Sequence, residues 1–382
     1  MKVVFLSNFL NHHQLPMCQA LRELTEGNFY FVATTPIGRE RRSLGYFDMN
    51  SAYPFVIRTY EGQEQRRRAQ QLTNEADVVV LGSAPLKYLH HRLQNGKLTF
   101  LYSERLYKTG YEAWKLPVRL VRRWKQFGRY RSLYLLCASA YTAGDFAKTL
   151  TFLNKTYKWG YFPQTHRYED LDAMMDHKKP TSILWAARFI SWKHPEYVLE
   201  VARRLKAENY DFHIQMMGNG QLWGDIARQI HEQGLEEQVE LVGAVPSDQV
   251  RAYMEAASIF LFTSDRNEGW GAVLNESMNS GCAVVADSAI GSVPFLVKNG
   301  ENGLCYRSSD VEDLYQKVKF LLDHPAECNA MGKKAYETIT ETWNAETATD
   351  RLIGLCKALS EDPKSPSPYA NGPCSKAEIL KG

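Results

Sequence analysis

At 382 residues, with 44% hydrophobic and 23% charged residues, the chain has the composition of a globular protein. It is too long for one ordinary core and suits two domains of about 150 to 200 residues each. A net charge of +3 is too small to argue for nucleic acid as a partner, and seven cysteines without a C-x-x-C pair argue for reduced thiols and against zinc or disulfides.

The start, Met1 to Asn8, carries a lysine and a short apolar run, but polar residues arrive too early for a signal-peptide core, and it reads as a first buried strand. Further apolar runs lie at Phe29 to Ala33, Val78 to Leu81, Phe100 to Tyr102 and Tyr134 to Cys137, separated by polar or helix-like segments. Strands alternating with helices imply a parallel sheet covered on both faces. No run has the length of a membrane span; Leu133 to Ala143 comes nearest. After the first strand, Asn11, His12 and His13 precede a helix expected from about Met17 to Thr25. They are candidates either for a substrate cleft or for helix entry. Glu104 and Arg105 follow a strand end and are candidates of the same kind, facing an acceptor.

Between Arg105 and Arg131 nine lysines and arginines stand against Glu112 alone, interleaved with Tyr107, Tyr111, Trp114, Trp124, Phe127 and Tyr130. Three readings remain open. Cations beside aromatics suit an anionic membrane surface, they suit a polyanionic glycan, and they also suit a solvated helix with ordinary core aromatics. From about Pro163 to Pro180 the chain turns polar and irregular, and residues 166–180 are expected as a linker. The triplet Asp170-Leu171-Asp172 inside it matches a metal-binding D-x-D only formally, since it does not follow a buried strand.

A second series opens at Ser182 with a strand leading to Ala187, Arg188 and Lys193, then a helix from about Pro195 to Glu208. The strand Phe212 to Met217 ends in Gly218-Asn-Gly220; a helix from about Leu222 and the strand Val239 to Val242 lead to a loop containing Val245, with Ser247 as the expected cap of a helix from Asp248 to Ala257. The strand Ile259 to Phe262 then runs through Ser264 into EGWGAVLNESMNSG, where Glu268 and Glu276 flank Gly269 and Gly271 on a strand-to-helix turn. Such a turn suits phosphate: glycines let a ligand approach the backbone, and amide groups at a helix start favour anions. Were this stretch all helix, the two carboxylates would stand about 12 Å apart, against about 5 Å for a retaining glycosidase. Two ends of one long ligand are the better reading. The strand Ala283 to Ala286, a final strand Leu304 to Tyr306 and helices at about Asp310 to Leu322, Pro325 to Thr340 and Asn344 to Ser360 follow. From Glu361 onward the chain is poor in apolar residues and is expected to be a flexible tail.

The Glu268-x7-Glu276 element, with the ordered series strand, G-x-G, helix, strand, G-x-V-P, helix, strand before it, resembles the family 4 type of retaining glycosyltransferases. The resemblance is strong from about Ser182 to Tyr306 and rests on architecture alone before that. It implies the GT-B fold, an α/β arrangement of two Rossmann-like domains with parallel sheets facing across a cleft: an acceptor domain over 1–165, a nucleotide-sugar domain over 181–343, and a helix over 344–360 crossing back. It implies a retained anomeric configuration, with Glu268 at the transferred sugar and Glu276 at the ribose. Arg188 and Lys193 would face the diphosphate, whose negative charge grows as the glycosidic bond breaks. Gly218, Gly220 and Val245 would border the nucleotide, and Gly269, Trp270, Gly271, Ala272 and Val273 would offer backbone amides. The donor would be a UDP- or GDP-sugar, the acceptor a glycan or a lipid-linked hydroxyl, with no metal and no other cofactor. The setting would be surface-polysaccharide or glycolipid assembly in the cytoplasm; peripheral contact at the inner membrane face through residues 105–131 is the first of the three readings of that basic segment. Departures from the family are Ala187 in place of a glycine, the absence of a glycine-rich loop near Asn11, and Ser292 and Phe295 in the loop after Asp287. A sugar-nucleotide epimerase or hydrolase of the same fold, or a non-catalytic nucleotide-sugar-binding protein, is the alternative.

Overall fold

The computed structural model describes residues 1–38, 47–108 and 110–380, and the chain divides into two compact units, Met1–Gln164 with Trp343–Gly382, and Thr165–Thr342. Each is built on its own parallel sheet.

In the first unit seven strands lie in the order β3-β2-β1-β4-β5-β6-β7, all pairs parallel. They are β1 (Val3–Ser7), β2 (Phe29–Ala33), β3 (Val56–Arg58), β4 (Val78–Leu81), β5 (Thr99–Ser103), β6 (Leu133–Cys137) and β7 (Thr156–Lys158). Every residue of β1 is buried, as expected of a strand covered on both faces. The order reverses between β1 and β4, where Val3 pairs with both Phe29 and Val78. The helix Ala345–Glu361 packs against the helix Leu15–Leu24 and buries Leu352, Leu355 and Leu359.

The segment after Glu361, expected as a flexible tail, is instead laid along the sheet edge. Lys158 N donates to Ser375 O at 2.7 Å, Cys374 N to Lys158 O at 2.8 Å and Ala377 N to Thr156 O at 3.0 Å, with Tyr157 and Lys376 forming an antiparallel bridge. The composition argument counts apolar side chains. Here the ordering comes from backbone groups that an edge strand would otherwise leave unpaired.

In the second unit six parallel strands take the order β10-β9-β8-β11-β12-β13. They are β8 (Lys179–Ala186), β9 (His213–Met217), β10 (Val239–Gly243), β11 (Ala257–Phe262), β12 (Ala283–Asp287) and β13 (Gly303–Tyr306). Ile183, Trp185, Val198, Leu199, Ile259 and Val285 lie in its core. Residues 166–180, expected as a linker, belong to this unit: Asp170 caps the helix Leu171–Asp176 by accepting from Ala173 N at 2.9 Å, and Met175 is buried. Lys178 sends its buried ammonium to Met254 O at 3.0 Å and Ala257 O at 2.7 Å. The D-x-D triplet is absorbed by the same helix, Asp172 pairing with Lys333 at 2.5 Å. Ser247 does not cap its helix: Gln249 N closes a turn on Pro246 O at 2.9 Å and stands at the cap position without a side-chain bond. Among the described residues no helix is long and apolar enough to cross a membrane.

Candidate functional site

In open parallel sheets, the loops after the carboxyl ends of the strands flanking the order reversal form a ready crevice for ligands. In the second unit that point lies between β8 and β11, and the sequence places its candidate residues on the loops that leave these strands and their neighbours.

The loop after β8 is stitched to the loop after β9. Ala187 N donates to Met217 O at 3.0 Å, Phe189 N to Asn219 O at 3.0 Å and Leu222 N to Phe189 O at 2.9 Å. Gly218 has φ +132°, and a Cβ there would collide with the Ala187 carbonyl oxygen, so only glycine permits the approach. Gly218 N in turn donates to Gly243 O at 2.8 Å, which ties in the loop carrying the half-buried Val245.

Lys193 ends a 3₁₀ turn, Ser191–Lys193. Its carbonyl accepts from Thr263 Oγ1 at 2.6 Å, and Thr263 in turn accepts from Trp185 Nε1 at 2.8 Å, so a buried β8 residue and the buried residue just after β11 fix its backbone. Its ammonium is buried, forms an ion pair with Glu268 Oε2, and lies 4.5 Å from the centre of the Trp192 ring. Burial, the larger influence, lowers the Lys193 pKa, and the Glu268 carboxylate partly restores it. Arg188 is exposed, with its guanidinium 5.9 Å from the Trp192 ring centre. Arg188 and Lys193 thus flank one indole, with Glu268 held to Lys193.

Glu268 sits on a tight turn: its N–H donates to Asp265 O at 3.0 Å, and its carbonyl accepts from Gly291 N at 3.2 Å. Gly271 follows at φ +82°, where a Cβ would collide with the Phe262 ring. Trp270 points inward, 1% exposed, with Nε1 donating to Asn275 Oδ1 at 2.8 Å and its carbonyl accepting from Ser292 Oγ at 2.5 Å. Its indole holds the turn together, which leaves only its backbone for a ligand. The helix Val273–Asn279 begins after Ala272 and carries Glu276, half-buried, whose carboxyl is pushed up to about 7 by burial, with Arg251 opposing.

Two residues without a motif to mark them, Thr263 and His194, belong to this constellation. His194, in the left-handed conformation at φ 49°, places Nδ1 2.7 Å from Glu196 Oε1 and Nε2 3.5 Å from Asp265 Oδ2. It thereby links the turn bearing Lys193 to the turn bearing Glu268, and the hydrogen bond to Glu196 foremost raises its pKa. A cavity of about 400 Å³ lined by Ser191, Trp192, His194, Asp265 and Asn267 lies at this link. The positive φ was not readable from the sequence, because few non-glycine residues take it and no turn motif marks this one.

In the first unit the candidates separate. Asn11 Oδ1 accepts from His13 N and Gln14 N, both at 3.1 Å, which serves helix entry. Arg105 is 5% exposed and stacks 4.6 Å from the Tyr141 ring centre, so it is a packed residue and not an open one. His12 and His13 lie with ring centres 3.8 Å apart, and His13 stacks on Tyr161 at 6.2 Å. Tyr161 also donates to Glu104, whose other oxygen takes Lys108 Nζ at 2.6 Å. Tyr161 therefore joins the loop after β1 to the end of β5. No motif marks it in the sequence. Among the described residues no cluster of three or more His, Cys, Asp or Glu side chains has metal-binding geometry.

Residues 171–338 match the family model described as glycosyl transferases group 1. Trehalose synthase of Pyrococcus horikoshii is 27% identical over 194 residues, 48% of this chain and 45% of that protein. The amylovoran biosynthesis glycosyltransferase AmsK of Erwinia amylovora is 28% identical over 208 residues, 53% of this chain and 50% of that one. The chain spans about half the length of the curated relatives it matches. Among solved structures, HepE of Anabaena in complex with UDP superposes with a TM-score of 0.67 at 16% identity, covering 94% of this chain and all of that one. This likeness shows the fold: two Rossmann-like α/β halves of the GT-B type.

Proposed function

We propose that this chain, whose second unit carries the group 1 glycosyl transferase match, moves a sugar from a nucleoside-diphosphate sugar to a hydroxyl acceptor in polysaccharide or glycolipid assembly, with retention at the anomeric carbon. The observation that carries the reading is the buried Lys193–Glu268 pair beside Arg188, on loops leaving β8 and β11. The names of AmsK and of the UDP-bound HepE structure support a nucleotide-sugar donor and a polysaccharide setting.

A buried ammonium needs a counter-charge, and Glu268 supplies it. A diphosphate entering beside Trp192 offers Lys193 a second, doubly charged partner and leaves Glu268 oxygens to accept from sugar hydroxyls. As the glycosidic bond breaks, negative charge accumulates on the leaving phosphate. Lys193 and the forked guanidinium of Arg188 neutralise it in place, with the work of a divalent ion done by fixed cations. Glu276 accepts from the ribose, and amides from Gly269 to Val273 add donors around the phosphates. The acceptor proton passes to the departing phosphate on the same face.

Transfer rates with UDP- and GDP-sugars, measured in the Arg188→Ala/Lys193→Ala protein, are expected to fall by at least about a thousandfold, each preorganised donor being worth on the order of 10²–10³ in rate. Unchanged rates, loss of activity on adding chelator, or an inverted anomer by NMR would each overturn the mechanism. Rapid release of free sugar from donor alone would point to a hydrolase instead.

A further inference from the structure

We infer that the helical segment Ala113–Gly128 of the first unit docks on an anionic lipid surface, with its apolar side against the bilayer. A surface helix ordinarily turns its apolar stripe to the core and its charges to water. This one keeps Leu116 and Leu120 half-buried and turns a second apolar stripe outward. Trp114, Val118, Val121 and Trp124 recur at steps of four, three and three and are 76, 72, 57 and 58% exposed, while Arg119 and Arg123 turn toward the protein, Arg119 5.2 Å over the Tyr107 ring and Arg123 5.5 Å over the Phe127 ring.

A second element extends the patch. Leu150 and Leu153 are 67 and 49% exposed, and Phe152 between them packs on Phe127 at 5.6 Å, which holds that loop beside the end of the helix.

Charge selects the occupant. Nine cations stand against one carboxylate from Arg105 to Arg131, and Glu112 is already shared by Lys115 and Arg119. Arg119, Arg122 and Arg123 also line a cavity of about 710 Å³ on this helix. Two tryptophans bracketing two valines, flanked by arginine and lysine, match an interface in which indoles sit at headgroup level and cations meet lipid phosphates. An apolar protein partner would leave these cations without counter-charges.

The test is flotation of the intact protein with phosphatidylglycerol–phosphatidylcholine vesicles and with pure phosphatidylcholine vesicles, with tryptophan emission read in parallel. Binding to the anionic vesicles alone, a blue shift, and weakening by salt are expected. Val118→Asp/Val121→Asp should lower partitioning at least about tenfold, and Arg122→Gln roughly fivefold, both at unchanged melting temperature because these side chains are exposed. No binding, equal binding to neutral vesicles, or full binding by the Val118→Asp/Val121→Asp protein overturns the inference. So does self-association that the same pair of substitutions abolishes in a protein that ignores vesicles, because the stripe then belongs to a second copy. No donor sugar is present in this assay, so its outcome and that of the transfer assay are independent.

Discussion

Glu276 shows how one side chain can be set against the stability of its own fold. Its carboxyl is pushed up to about 7 by burial, whereas a free glutamate ionises near about 4.3. A folded value above the unfolded one favours the folded state at low pH, and that contribution is lost as pH rises from about 4.5 through about 7. Glu276→Gln should therefore flatten this slope and stabilise the protein at pH 8 by on the order of 2–4 kcal/mol, read from urea melts. The same change should raise the donor KM, since an amide is a weaker acceptor for ribose hydroxyls than a carboxylate. In the unsubstituted protein donor KM should rise as pH falls below about 7. A substitution that leaves both the slope and KM untouched would remove Glu276 from the donor site.

At the scale of elements, long buried strands were legible in the sequence because a parallel strand covered on both faces reads as a continuous apolar run. Val3 to Leu6 and Ile259 to Phe262 are such runs, and they became β1 and β11. The three-residue strands β3 and β7 were not legible; at the sheet edges they need few apolar residues. What protects β7 is equally hidden. Backbone bonds from Cys374, Ser375 and Ala377 cover its edge, and backbone pairing leaves no compositional trace. Deleting the chain from Pro373 onward should cost on the order of 2–3 kcal/mol, at about 1 kcal/mol for each lost bond, and should promote aggregation through the bared edge. Thermal melts and light scattering would show it, and an unaltered melt would mean that the segment merely rests there.

The whole molecule has one discontinuous and one continuous unit. Residues 343–382 return to the first unit, where the helix Ala345–Glu361 covers the helix Leu15–Leu24, so a chain ending at Thr342 loses part of that unit's core while the second keeps its own. Residues 165–342 expressed alone should therefore melt cooperatively and, on the proposed function, bind UDP or GDP, whereas residues 1–342 should show near-UV circular dichroism and protease resistance only from the second unit. A fragment 165–342 that fails to fold would show that the second unit depends on the first.

The amino-acid sequence by itself determined two series of parallel strands and put Arg188, Lys193, Gly218, Glu268 and Gly271 on the loops after them and Glu276 on the helix that follows, because periodicity and glycine spacing are local properties of the chain. Only the tertiary structure decided which of these side chains meet. Lys193 pairs with a carboxylate seventy-five positions away, His194 reaches Asp265, Tyr161 links His13 to Glu104, and the helix after Ala113 turns its valines to water. Those contacts depend on strand order and on the packing of distant segments, and neither is encoded in any short stretch of sequence.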